Sequence, residues 1–189
     1  MRLSKPRIAP IQDDELTDEQ KAAVRTLSEG RPLLNIYRTL AHAPEALQRF
    51  LQWGAYVLSR RNSLPPRERE IVILRTGYLC KSGYEFAQHR RIGLREGLSE
   101  SEINDLKASP DAPGWSAADQ ALIRACDELH YDQFVSDATW EELGAHFDDK
   151  QRMDVVFTAG QYTQVSMFLN TFGVQLEPGQ TLDAELKGF

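Results

Sequence analysis

The chain has 189 residues, the size of one domain or of two small helical halves that share a core. Hydrophobic residues make up 41% of the sequence and charged residues 26%, which is typical of a globular protein and excludes disorder over most of the length. The formal net charge of −6 argues against nucleic acid or an anionic membrane as the main partner. We therefore expect a single globular domain over 1–189.

Targeting segments and cysteine usage both bear on the cellular compartment. Residues 1–10 are basic but lack the apolar stretch of a secretion signal, and no apolar run is long enough to span a bilayer. Cys80 and Cys126 are the two cysteines, they lie 46 positions apart, and neither belongs to a C-x-x-C motif. A cytoplasmic protein is expected, and a cysteine-based zinc site is excluded by the number of ligands.

Helical patterns dominate the chain after an extended arm at 1–13. Thr17 with Gln20 and Ser99 with Glu102 have the spacing of capping boxes, and Pro66 suits the first turn of a helix. In chain order the sequence predicts helices at about 17–28, 33–43, 44–58, 66–79, 82–97, from 99 onward, 116–130, 137–146 and 149–172. Asp137 is the expected cap of the eighth of these helices.

Alternating runs with hairpin turns, which would indicate strands, are missing, so we predict an all-α protein. The segments 70–78 and 154–162 share an acidic residue, an apolar triplet and a tyrosine at an offset of 84. This similarity leaves a duplicated helix-pair motif open. The tail at 174–189 is expected to be irregular.

The segment 65–89 carries the greatest density of reactive side chains. Glu70 shares one stripe of its predicted helix with Ile73, Leu74 and Tyr78, which draws the carboxylate toward the core. A solvated first turn is an equally simple interpretation, because the helix dipole favours acidic residues there.

The following helix places Ser82, Glu85 and His89 on one stripe, with the last two at i and i+4. A carboxylate beside an imidazole orients the ring and raises its pKa, so the pair could transfer a proton near neutral pH. An ordinary surface pair would have the same spacing and contribute a few tenths of a kcal/mol.

These residues resemble the carboxymuconolactone decarboxylase family, within the alkylhydroperoxidase D-like superfamily. The resemblance is carried by Glu70 before an apolar helix, by the run Tyr84-Glu85-Phe86-x-x-His89, and by the glycines that follow. Similar phrases recur over nearly the whole chain, at 7–10, 38–44, 63–65, 127–130, 136–140 and 173–176. The resemblance implies the alkylhydroperoxidase D-like helical bundle.

The peroxidase branch of this superfamily carries Cys-x-x-Cys-x-x-x-His. With its histidine aligned on His89, the two cysteine positions fall on Ser82 and Glu85, neither of which forms a thiolate. Disulfide-based peroxide reduction needs an attacking and a resolving thiol, so a dithiol mechanism is not expected. Cys80 with an external thiol remains an alternative, as does a buried structural Cys80.

The resemblance to the decarboxylase branch implies a cofactor-independent, metal-free lyase or isomerase. Its substrate would be a small unsaturated or lactone carboxylic acid, as in the breakdown of aromatic compounds. By resemblance, His89 would transfer the proton. Glu85 would orient the His89 ring and favour its charged form, and Glu70 would be a second acid or base. A non-catalytic oligomeric protein that binds a small molecule stays open.

Four further residues are candidates for contacts with the substrate. Tyr84 or Tyr78 could donate a hydrogen bond to the substrate, Ser82 could contact it, and Arg75 could hold its carboxylate. Glu85, His89 and Glu70 could instead ligate a divalent metal, which the resemblance does not imply. The resemblance also implies a homo-oligomer, a trimer or hexamer with a dimer left open. We expect the arm and the tail to pack on a neighbouring chain, because a small bundle could not bury them.

Overall fold

The computed structural model describes residues 3–27 and 32–188, and within these residues the regular elements are all helices. The all-α prediction is therefore confirmed. In chain order the helices are α1 (Asp18–Val24), α2 (Asn35–Leu40), α3 (Pro44–Val57), α4 (Pro66–Leu79), α5 (Gly83–Arg95), α6 (Glu100–Asp105), α7 (Ala117–Tyr131), α8 (Asp137–Gly144) and α9 (Asp149–Phe172). A short 3-10 turn, Ala184–Leu186, lies in the tail.

The helix starts follow from local chemistry. Thr17 and Ser99 form the predicted capping boxes, and Pro44 and Pro66 occupy the first helical turn. Helix α1 ends at Val24, four residues before the predicted end at Ser28, which itself lies outside the described residues.

Several predicted boundaries differ from the structure, among them those of α2 and α8. Helix α2 begins at Asn35 rather than at residue 33. Ser136, and not Asp137, caps α8, because the Ser136 hydroxyl accepts a hydrogen bond from the Thr139 N–H at 3.3 Å.

Helix α4 is the centre of the bundle and packs against α5, α7 and α9. Every residue from Glu70 to Gly77 is buried, so the helix has no solvated face in this stretch. A helix that is apolar nearly all round is typical of a core position. The two charged groups inside the stretch, Glu70 and Arg75, therefore need partners within the protein.

Close packing of α4 on α5 brings the two predicted site segments together. A Cβ atom at Gly93 would lie 3.0 Å from Leu98 Cδ1 and 3.2 Å from Leu74 Cδ1, so only a glycine fits without displacing its neighbours. One turn before these residues, at Glu70 and His89, the same helix crossing places the two polar side chains face to face.

The described parts of the arm and tail pack on their own chain. The backbone N–H groups of Arg7 and Ile8 donate to the Phe172 carbonyl, next to Gly173, whose φ of +72° ends α9. Val174 and Leu186 are buried. The described arm residues before Ile11 are exposed or half-buried, and the packing of the arm and tail on a neighbouring chain stays a prediction. In the described residues, no helix has the length and apolarity to cross a membrane.

Candidate active site

A buried histidine lies between two buried carboxylates. His89 Nδ1 is 2.7 Å from Glu70 Oε2, and His89 Nε2 is 3.0 Å from Glu85 Oε1. All three residues are at most 5% exposed. The structure thus brings together the three residues for which catalytic roles were predicted, with both ring nitrogens engaged.

The two carboxylates determine the charge of the imidazole. Burial is the largest single effect and by itself disfavours the charged ring, but Glu70 and Glu85 together outweigh it and raise the pKa of His89 to about 10. His89 is therefore an imidazolium at neutral pH, and each of its N–H groups can donate to one carboxylate. A histidine in this state is a proton donor held in a fixed orientation.

Glu85 and His89 lie on the wall of a cavity, which we call the inner cavity, with a volume of about 360 Å³. Tyr84, Gln88, Gln161 and Tyr162 add polar groups to the wall. The rest of the lining is largely apolar and includes Leu34, Ile36, Leu51, Val57, Ile92 and Val165. Glu70 does not line the cavity, so it reaches a ligand there through the imidazole, whereas Glu85 can touch the ligand directly.

Tyr162 is a site residue that the sequence reasoning did not propose. It comes from α9, lines the inner cavity, and meets the His89 ring edge-on with the ring centres 4.9 Å apart. Burial, followed by the charges of Glu85 and Glu70, raises its pKa well above the usual range, so its hydroxyl stays protonated. The alignment of segments 70–78 and 154–162 singled out Tyr162 but gave no reason to place it beside His89.

Tyr84 lines the inner cavity, but its hydroxyl is already engaged. It donates to Glu177 Oε1 in the tail, and the Asn35 backbone N–H donates to the same oxygen at 3.0 Å. Burial and the Glu177 carboxylate raise the pKa of Tyr84. Its ring therefore shapes the cavity, while its hydroxyl anchors the tail against α5.

The other three predicted substrate contacts lie away from the inner cavity. Arg75 makes a two-pronged ion pair with Asp127, with Nε–Oδ1 at 2.6 Å. The Tyr78 ring packs beside Phe86, with centres 6.3 Å apart. Ser82 is fully buried at the start of α5, and its hydroxyl makes no hydrogen bond within the described residues. None of these three side chains is placed to contact a ligand beside His89.

Cys80 also lies outside the inner cavity, at the end of α4. Its Sγ atom is 3.8 Å from Nδ1 of His130. Burial is the main cause that lowers the pKa of His130, so this imidazole is neutral at pH 7 and could accept a thiol proton. Cys126 is buried, which raises the pKa of its thiol to about 12 and makes it unreactive.

The alternative of a metal site gains no geometric support. Both nitrogens of His89 face carboxylate oxygens at hydrogen-bond distance, which leaves the ring without a lone pair for a metal when it is protonated. Over residues 3–27 and 32–188, no group of three or more His, Cys, Asp or Glu side chains has the arrangement of a metal site.

Comparison with known proteins finds a family match over part of the chain. Residues 44–128, which contain α3 to most of α7 and the Glu70–His89–Glu85 cluster, match the model of the carboxymuconolactone decarboxylase family. No curated protein matches the sequence. The predicted resemblance to this family is thus confirmed for residues 44–128.

Several solved structures share the fold. An alkylhydroperoxidase AhpD core protein from Ralstonia eutropha, described as an uncharacterized peroxidase-related protein, superposes with a TM-score of 0.76 at 17% identity, over 95% of this chain and 94% of its own. A protein of unknown function from Agrobacterium tumefaciens, linked to AhpD antioxidant defence, gives a TM-score of 0.68 at 21% identity, over 73% of this chain and 94% of its own. A variant of the debrominase Bmp8 in complex with 2,3,4-tribromopyrrole gives a TM-score of 0.73 at 10% identity, over 93% of this chain and 94% of its own. At these identities the likeness establishes the alkylhydroperoxidase D-like fold alone.

Proposed function

We propose, from the premise that residues 44–128 belong to the carboxymuconolactone decarboxylase family, that this chain is a cofactor-independent acid–base enzyme. Its reaction would be a decarboxylation or isomerisation of a small unsaturated or lactone carboxylic acid. The observation that carries the proposal is the His89 imidazolium, held between Glu70 and Glu85 at the wall of a largely apolar cavity. A group that stores a proton in a defined direction is what such a reaction requires.

The chemistry divides into two steps. Breaking the bond to the substrate carboxylate releases CO₂ and leaves the electron pair on the substrate, where conjugation with the lactone carbonyl spreads it as a dienolate. The dienolate carbon then takes a proton from the His89–Glu85 couple, and water later returns a proton to the couple. In an isomerisation, the couple would remove a proton from one carbon and return it to another.

The surroundings of the couple suit a developing negative charge on the substrate. Tyr162 keeps its phenol proton and lines the same cavity, so it can donate a hydrogen bond to the dienolate oxygen. The apolar remainder of the wall keeps the local dielectric constant low, which strengthens this hydrogen bond. We assign Glu70, which does not line the cavity, the role of a positioning residue for the ring.

A thiol peroxidase is the second candidate, and one observation favours it. His130 lies 3.8 Å from the Cys80 thiol and is neutral at pH 7, as a base that activates a thiol must be. The names of two structural neighbours point to the same chemistry. This activity would need an external thiol to resolve the oxidised Cys80, and it would not use the inner cavity.

The experiment compares proton transfer with thiol chemistry in one protein. A carboxymuconolactone substrate is incubated in D₂O, loss of its ultraviolet absorbance is followed, and deuterium in the product is measured by NMR. We expect the wild type to turn the substrate over and to place deuterium on the carbon that lost CO₂. The turnover rate should fall about 10²–10⁴-fold in Glu85→Gln and stay at the wild-type value in Cys80→Ser. Loss of the activity in Cys80→Ser but not in Glu85→Gln would contradict the proposal, as would peroxide reduction as the only activity found.

A further inference from the structure

A second cavity lies on the other side of the wall formed by Phe50 and Gln161, which line both cavities. We call it the outer cavity, and its volume is about 510 Å³. It lies between the end of α2, the first turns of α3 and the second half of α9, and Ile8 of the arm closes one side. The volume is within the range of small-molecule sites.

Four aromatic side chains, Phe50, Trp53, Phe168 and Phe172, line the outer cavity. Phe50 and Phe168 meet edge to face with their centres 5.9 Å apart, and Phe168 stacks on Phe172 at the same separation. Trp53 also lines the cavity and is 41% exposed. The rings thus hold one another in place, which is typical of a preformed site for an apolar or aromatic ligand.

Two polar atoms in the wall have no hydrogen-bond partner among the described residues. They are the hydroxyl oxygen of Thr39, a residue that is 3% exposed, and the Oε1 atom of Gln161, which is 5% exposed. A buried polar atom that stays unpaired costs about 1–3 kcal/mol. Both residues line the outer cavity.

The charge at the outer cavity comes from Arg49. It is exposed, lines the cavity, and forms no salt bridge with an acidic residue in the described parts of the chain. Its guanidinium is the one charged group among the described residues that line the outer cavity. Charge complementarity therefore selects a ligand with a carboxylate for the outer cavity.

We propose that the outer cavity is a second ligand site, distinct from the inner cavity, and that it binds an apolar monocarboxylate. The hydrophobic body of the ligand lies among Phe50, Trp53 and Phe168, and its carboxylate pairs with Arg49. This site does not depend on any reaction at His89.

The test uses the full chain and two probes that differ only in the head group, 4-phenylbutyrate and 4-phenylbutanol. Binding is measured by calorimetry and by the change in tryptophan fluorescence, for which Trp53 is the reporter and Trp53→Phe the control. We expect the acid to bind more tightly than the alcohol. Arg49→Gln should weaken binding of the acid about fivefold and leave the alcohol unchanged. Arg60→Gln, which removes another exposed arginine outside the cavity lining, should change neither.

Ala46→Trp locates the ligand, because Ala46 is exposed and lines the outer but not the inner cavity. We expect it to abolish binding of both probes while the circular dichroism stays native. Equal affinity for acid and alcohol, binding that survives Ala46→Trp, or equal effects of the Arg49 and Arg60 variants would overturn the proposal. So would a wild type that binds neither probe and whose oligomer dissociates in Ala46→Trp, because a second copy of the chain would then cover the cavity.

Discussion

His89 Nδ1 lies 2.7 Å from Glu70 Oε2, across the crossing of α4 and α5 and away from the inner cavity. The opposite nitrogen faces Glu85, which lines the cavity. The two carboxylates therefore have different positions on the same ring. Glu70 is placed to fix the orientation and charge of the imidazole, and Glu85 is placed to exchange a proton with a ligand.

The first prediction concerns Glu70→Gln. Removing one of the two negative neighbours should lower the pKa of His89 from about 10 toward the usual 6.5, because the opposing effect of burial remains. The imidazole titration is measured by NMR, and the alkaline limb of the kcat profile should move to lower pH with it. Glu96→Gln, an exposed change just after α5, is the control and should leave the titration where it is. An identical titration in Glu70→Gln and the wild type would rule out the positioning role.

The second prediction is a loss of stability at alkaline pH. The pKa of His89 is raised on folding, so the native state holds a proton that the unfolded chain releases above about 6.5. The stabilisation from this group is complete below pH 6.5, falls as the pH rises, and is gone above about pH 10. Urea unfolding between pH 6 and 10 measures it.

In His89→Gln this alkaline loss should disappear, because no imidazole proton is released. The variant should also be less stable than the wild type at pH 7, by about 3–5 kcal/mol, since two buried carboxylates lose their cationic partner. A decline with pH that is equally steep in both proteins would show that other groups cause it.

The third prediction separates a structural from a substrate-binding Arg75. Its guanidinium pairs with Asp127 and also donates through Nη1 to the carbonyls of Leu106 and Ala108, at 2.7 and 2.6 Å. A lysine cannot make this forked set of hydrogen bonds. Arg75→Lys should therefore lower the free energy of unfolding by about 2 kcal/mol, a value typical of charged hydrogen bonds, and leave KM unchanged. Arg95→Lys, at an exposed position, is the matched control. A raised KM with wild-type stability would restore the substrate-binding role.

Much of the fold could be predicted because its determinants are local. The capping box at Thr17 and the proline at position 66 set helix starts through contacts within one turn, so the sequence contains the whole cause. The pair Glu85 and His89 is local in the same sense, since both lie on one helix at i and i+4. Helix ends such as that of α2 were less predictable, because they depend on what the helix packs against.

The remaining features of the site depend on packing between distant segments. Glu70 reaches His89 only because α4 and α5 cross closely at Gly93, and Tyr162 comes from a helix far along the chain. Arg75 fits a substrate-binding role by residue type, and only the position of Asp127 on α7 shows that its charge is already paired. The sequence therefore predicts which side chains are chemically suited to a role. Which partner each side chain contacts depends on how the helices cross.

The fourth prediction concerns assembly, which the resemblance implied as a trimer or hexamer. Helix α9 exposes Met153 and Met167, at 51% and 61%, and neither residue lines the outer cavity. Exposed apolar residues along one helix are typical of a face that another chain covers. We therefore expect sedimentation to show a species larger than the 21.5 kDa monomer.

Met167→Glu should dissociate this species, because a carboxylate at a subunit contact would be buried without a partner. Thr171→Glu adds the same charge one turn later, at an exposed polar position of the same helix, and should have a smaller effect. A wild type that sediments as a clean monomer at every concentration would refute the oligomer. Equal dissociation by both variants would instead indicate a contact that depends on net charge and not on the methionines of α9.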